Sequence, residues 1–144
     1  MSGHALQPIP YLSFDGNCAE AIDFYATLFE GKVIGKTTFG DMPGDFPVPD
    51  DAKSRVVNAM LELPGGAMLY GGDTPPGRPF TPMAGLMLAI NFPTVEQAQK
   101  VFNGLAEGGE VTMPFAPTFW AEKFGMVTDK YGIHWGVNGN LAQR

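Results

Sequence analysis

The chain has 144 residues, with 9 Lys and Arg against 15 Asp and Glu, giving a formal charge of −6 at pH 7. That length suits one domain with its own core, and the acidic balance argues against a nucleic-acid partner, which needs a basic face. A single Cys excludes an internal disulfide framework and points to a reducing cytoplasm, no apolar run nears the ~20 residues of a membrane span, and residues 1–7 lack a charged-then-apolar leader pattern.

Residues 9–14 alternate as a strand, with Pro10, Leu12 and Phe14 on one face and Ile9, Tyr11 and Ser13 on the other. Asp15-Gly16 bends the chain into a helix. Asn17, followed three places later by Glu20, has capping-box spacing; Ala21, Ile22, Tyr25, Leu28 and Phe29 form the apolar stripe, and Gly31 stops it. Strands are expected over 32–40, 55–63 and 67–71, the last two joined by a hairpin turn at Pro64-Gly65-Gly66. The loop from Asp41 to Asp51 carries Asp45, Asp50 and Asp51 without calcium-loop spacing, so it is read as a solvated lid or dimer contact. Residues 74–84, with Pro75, Pro76, Pro79 and Pro82, form an extended connector.

The pattern then repeats. Leu88, Ile90 and Phe92 share one face of a strand, and Met87, Ala89 and Asn91 the other. Thr94 and Gln97 make a second capping box, Ala98, Val101, Phe102 and Leu105 a second stripe, and Gly108-Gly109 a second stop. An offset of 77 residues carries Asn17 to Thr94, Ala21 to Ala98, Tyr25 to Phe102, Leu28 to Leu105 and Gly31 to Gly108. Strands follow over 110–113, 123–128 and 133–138, the last two joined by Asp129-Lys130-Tyr131-Gly132. Each half therefore reads β-α-β-β-β. The expected fold is α+β: two paired modules, about residues 8–73 and 85–140, in a single domain over 1–144, forming curved mixed sheets around a cleft. The faces carrying Ile9, Tyr11 and Ser13 and carrying Met87, Ala89 and Asn91 line that cleft.

Residues 10–25, PYLSFDGNCAEAIDFY, and 119–135, FWAEKFGMVTDKYGIHW, resemble the PhnB-like branch of the vicinal oxygen chelate superfamily. That group includes glyoxalases, extradiol dioxygenases, fosfomycin-resistance enzymes and bleomycin-binding proteins. The resemblance implies a homodimer, and a metal held by one His or Glu from each of four strands that polarises a chelated substrate oxygen. It places those ligands at Ile9, Tyr70, Met87 and Gly136. Ile and Gly offer no ligand, a Met thioether is too soft for this chemistry, and one Tyr makes no cage. A metal-free cleft with no cofactor is therefore expected. Members of this branch often carry a ubiquinone-methyltransferase label, but no glycine-rich turn follows the first strand to seat S-adenosylmethionine.

His134, on the last strand, and Glu122 are the catalytic candidates; each is more simply read as structural, a hydrogen-bonded strand His and a solvated carboxylate. Cys18 at a helix start is read as a packed residue rather than a nucleophile, and His4 lies in the tail. Trp135 is expected to pack on a helix. Tyr11, Ser13, Tyr70, Asn91, Trp120 and His134 are the candidate ligand-binding residues. The resulting expectation is a cytoplasmic, homodimeric, metal-free protein that binds a small organic molecule, with the net charge favouring a cationic one. The rival is a metal-dependent or metal-free lyase, isomerase or oxygenase, the metal-free version using His134 or Glu122 as base.

Overall fold

A computed structural model describes residues 6–44 and 47–142; His4 and Asp45 lie outside the described residues. The chain forms two compact units that divide between Thr81 and Pro82. The first contains β1 (Tyr11–Phe14), α1 (Cys18–Phe29), β2 (Lys32–Thr38), β3 (Val56–Glu62) and β4 (Met68–Asp73). The second contains β5 (Leu88–Phe92), α2 (Val95–Ala106), β6 (Glu110–Ala116), β7 (Ala121–Thr128) and β8 (His134–Leu141). Each unit is thus β-α-β-β-β with one four-stranded mixed sheet, ordered β1-β4-β3-β2 in the first and β5-β8-β7-β6 in the second. In each, only the first and last strands pair in parallel, because the helix supplies the crossover that a parallel pair requires.

Alternation decides which sheet face meets the helix. Leu12 and Phe14 are buried with Ala59 and Leu61, against Ala21, Ile22, Tyr25 and Phe29 of α1. Tyr11 and Ser13 point the other way and are exposed. In the second unit, Val127, Trp135 and Val137 are buried with Ala98, Val101, Phe102 and Leu105 of α2. Burying each large apolar side chain contributes about 1.5–3 kcal/mol, so these faces hold each helix on its sheet. Pro114 is tolerated because β6 is an edge strand, paired only with β7.

The duplicated helices begin differently. Thr94 caps α2 as its spacing predicts, its hydroxyl oxygen accepting the Gln97 N–H at 3.2 Å. Asn17 precedes α1 but its side chain makes no capping hydrogen bond. Asp73, at the end of β4, does the work instead. Its Oδ1 accepts the N–H groups of Gly16 at 2.8 Å and Cys18 at 3.0 Å, and its Oδ2 accepts that of Val56 at 2.8 Å. The connection from β1 to α1 runs over three residues, Asp15-Gly16-Asn17, and that from β5 to α2 over two, Pro93-Thr94. The extra residue lets Gly16 adopt φ +93° and turn its N–H inward. The end of α1 also differs from expectation: Glu30, not Gly31, takes the left-handed conformation at φ 57°.

Candidate ligand-binding site

Two cavities lie on helix-free sheet faces, one within each unit. The first measures about 480 Å³ and is built on Tyr11, Ser13, Val57 and Gly72, with Phe39 and Met42 at one side. Local structure explains its floor. Thr37 opposes Asn58 and Thr38 opposes Val56, so Val57 is the extra residue of a β-bulge. Its carbonyl accepts the Tyr11 hydroxyl at 2.7 Å. The Tyr11 ring can lie across the sheet because position 72 is Gly; an added Cβ would meet the Tyr11 oxygen and the Val57 carbonyl, each at 2.5 Å. Burial raises the Tyr11 pKa above its ordinary value, and the nearby Asp73 carboxylate adds to the rise. Tyr11 therefore stays a neutral phenol at physiological pH. It is still 54% exposed, so its ring is open to a ligand.

Tyr70 lies beside Tyr11 in the parallel register and is half-buried. Its neighbour two residues on, Gly72, rather than Tyr70 itself, is among the cavity residues. Cys18 lies under the site and is fully buried; burial first, then Asp73, push its pKa up to about 12 against an opposing pull from Lys36. A thiol held in its neutral form is no nucleophile.

In the second unit Asn91 and Trp120 meet through a residue that sequence reasoning did not single out. The Trp120 indole N–H donates to Asn138 Oδ1 at 2.9 Å, and Asn138 Nδ2 donates to Asn91 Oδ1 at 2.9 Å. Indole can only donate, which orients both amides in turn. His134 stands apart from this chain of bonds and lines the second cavity, of about 390 Å³, with Leu86, Met87 and Thr128. Both its ring nitrogens are engaged. Nε2 faces the Met83 carbonyl at 3.2 Å, and Nδ1 lies 2.8 Å from the Thr128 hydroxyl. A carbonyl only accepts, so Nε2 carries the proton and Nδ1 accepts from Thr128 in the neutral ring. Glu122 is exposed and accepts a hydrogen bond from Asn140 at 2.9 Å. Trp135 is buried, and its indole N–H donates to Asp129 Oδ2 at 2.8 Å. Asp129 Oδ1 accepts the N–H groups of Tyr131 and Ile133, so the turn carboxylate also fixes the core Trp.

The metal implied by the resemblance does not fit these residues. Among the described residues, no three His, Cys, Asp or Glu side chains cluster closely enough to hold a cation. A Cβ added at Gly136 would lie 2.7 Å from the Met87 terminal methyl and 2.8 Å from its sulfur. The Met87 thioether thus fills the space where a ligand from position 136 would project.

Two β-α-β-β-β units with mixed, unclosed four-stranded sheets define the glyoxalase/bleomycin-resistance/dioxygenase fold, the architecture of the vicinal oxygen chelate superfamily. The glyoxylase/bleomycin resistance protein/dioxygenase domain from Frankia sp. EAN1pec shares it, with a TM-score of 0.67 at 15% identity, covering 95% of this chain and 93% of that one. Within that class, residues 7–138 match the family described as 3-demethylubiquinone-9 3-methyltransferase, and the chain belongs to this PhnB-like family. Protein PA1353 from Pseudomonas aeruginosa is similar at 40% identity and a TM-score of 0.85, covering 93% of this chain and 97% of that one. The putative 3-demethylubiquinone-9 3-methyltransferase, PhnB protein, from Bacillus cereus is similar at 26% identity and a TM-score of 0.75, covering 92% and 98%.

Proposed function

We propose that this PhnB-like protein binds a small organic molecule without a metal, as a cytoplasmic homodimer. The observation that carries the reading is the cavity on the helix-free face of the first sheet, with an exposed Tyr11 ring, the Ser13 hydroxyl and an apolar side of Phe39 and Met42. Its volume of about 480 Å³ is in the range that takes small ligands. No described helix is long and apolar enough to cross a membrane. The only Cys is buried and unpaired, which suits a reducing compartment. The turn from β1 into α1 offers no cradle for the S-adenosylmethionine of a methyltransferase, because Asp73 already takes the N–H groups of Gly16 and Cys18.

A screen of small organic molecules against ¹⁵N-labelled protein tests the reading. Ligands are expected to perturb the Ser13 and Gly72 amides, and Tyr11→Ala should weaken them roughly tenfold by removing the exposed ring. A broad library that leaves those amides unmoved overturns it. Stoichiometric metal in protein purified without chelators would favour the rival enzyme, and a monomer in sedimentation would remove the dimer.

A further inference from the structure

The first cavity has an uneven charge. Among the residues lining it, only Asp73 and Arg78 are charged. Asp73 is spoken for, its two oxygens accepting three backbone N–H groups. Arg78 is different: among the described residues its guanidinium has no hydrogen-bond or ion-pair partner. The nearby Arg55 is consumed, its Nε and Nη2 donating to the Thr74 carbonyl and its Nη2 also to Asp15 at 3.2 Å. That ion pair ties up Asp15 as well. Arg78 also lines a separate cavity of about 350 Å³, with Asp15, Asp51 and Arg55.

The backbone holds Arg78 in place. Its N–H donates to the Pro75 carbonyl at 3.1 Å, and Gly77 has φ +81°. Pro75-Pro76-Gly77-Arg78 is thus a type II turn, with Pro and Gly at the two positions that favour them. Pro79 follows directly. The three prolines Pro75, Pro76 and Pro79 thus stiffen the backbone that carries Arg78. The Ser13 hydroxyl, which also lines the cavity, has no partner among the described residues, whereas the Tyr11 hydroxyl already donates to the Val57 carbonyl. The polar groups without a partner among the described residues therefore include Arg78 and the Ser13 and Thr81 hydroxyls, all able to donate, in a cavity that Phe39, Met42 and Val57 also line.

We infer that the first-unit cavity takes a small organic carboxylate, its anionic group on Arg78 and Ser13 and its apolar body against Phe39, Met42 and Val57. This rests on the cavity being a binding site, as proposed above. It runs against the whole-chain charge of −6, which favours a cation at long range. Charges more than about 8–10 Å away are screened at physiological salt, and the Asp73 carboxylate is turned onto three backbone N–H groups, so Arg78 is the charged group left to meet a ligand. Arg also matches a carboxylate in two parallel hydrogen bonds, which a cationic ligand would forfeit for repulsion.

Three probes of one shape test this: 2-naphthoate, 2-naphthamide and 2-naphthylmethylammonium, titrated into the full chain and followed at the Ser13 and Gly72 amides. At low salt, about 50 mM, naphthoate should bind roughly tenfold or more tighter than either other probe, and the gap should narrow in high salt. Arg78→Gln should bring naphthoate down to the naphthamide affinity, and Arg78→Lys should keep part of the preference. Arg78 is exposed, so both variants should retain the native amide spectrum. If the ammonium or amide binds at these amides as tightly as naphthoate, or Arg78→Gln leaves naphthoate unchanged, the carboxylate inference falls while the binding site stands. If no probe moves those amides, the carboxylate inference falls, and the broad library decides the binding site separately.

Discussion

Asp73 ties three backbone N–H groups from two elements to one carboxylate. Removing it leaves those donors without acceptors in a buried place, each worth about 1–3 kcal/mol. Asp73→Ala should therefore lower the urea unfolding free energy by about 3 kcal/mol or more. Asp73→Asn, which keeps the shape and one acceptor oxygen, should lose less. Cys18 gives a pH signature. Its folded-state pKa is raised from 9.0 to about 12, chiefly by burial. Above pH 9 the unfolded chain loses the thiol proton while the folded chain keeps it, so this contribution to stability is full below pH 9 and declines up to pH 12. A Cys18→Ala variant should show a shallower alkaline loss of stability than the parent, measured by urea unfolding at several pH values. Equal slopes would mean that Cys18 does not carry it.

The two helices offer a controlled comparison at the level of elements. Both have a capping sequence, yet only Thr94 caps. Thr94→Ala should cost about 1 kcal/mol, whereas Asn17→Ala should stay within about 0.5 kcal/mol because Asp73 serves that helix start. Thermal unfolding of the two variants settles the order. The second module reaches the same packing by another route. At Gly139 an added Cβ would lie 3.0 Å from both the Ala98 Cβ and the Val95 Cα, so α2 rests directly on β8 there. Gly139 is the register counterpart of Phe92 on β8, as Asp73 is of Phe14 on β4. One position thus became a carboxylate that caps a helix and the other a glycine that admits one. Gly139→Ala should destabilise by about 1–3 kcal/mol through overpacking, while Gly65→Ala, with nothing near its Cβ, should cost only its turn strain.

Across the whole molecule, the duplication kept the fold and lost symmetry in its chemistry. The first unit presents an Arg with no partner among the described residues in the same cavity as an exposed Tyr ring; the second presents a Trp-oriented pair of amides and a His with both nitrogens occupied. Neither offers a converging set of metal ligands among the described residues. Saturating Zn²⁺ or Ni²⁺ should accordingly leave the melting temperature nearly unchanged, since only binding that favours the folded state would raise it. A saturable, one-to-one rise in Tm on metal addition would contradict this.

The sequence by itself determined the two β-α-β-β-β patterns, the hairpin turns at Pro64-Gly65-Gly66 and Asp129 to Gly132, the family resemblance and the unsuitability of Ile9, Met87 and Gly136 as metal ligands. Those features are written in residue types and in periodicities spanning a few positions, so they survive without coordinates. Only the tertiary structure decided which polar groups meet. Asp73 reaches α1 across 55 to 57 residues, Asn138 reaches Asn91 across 47, and the connector brings Arg78 to the Tyr11 face. Such partners depend on strand register, on a bulge at Val57 and on the path of a Pro-rich connector. A one-residue shift in any strand would turn its side chains to the opposite face, which is why local pattern could nominate Tyr11, Ser13 and Asn91 but not the residues that complete their surroundings.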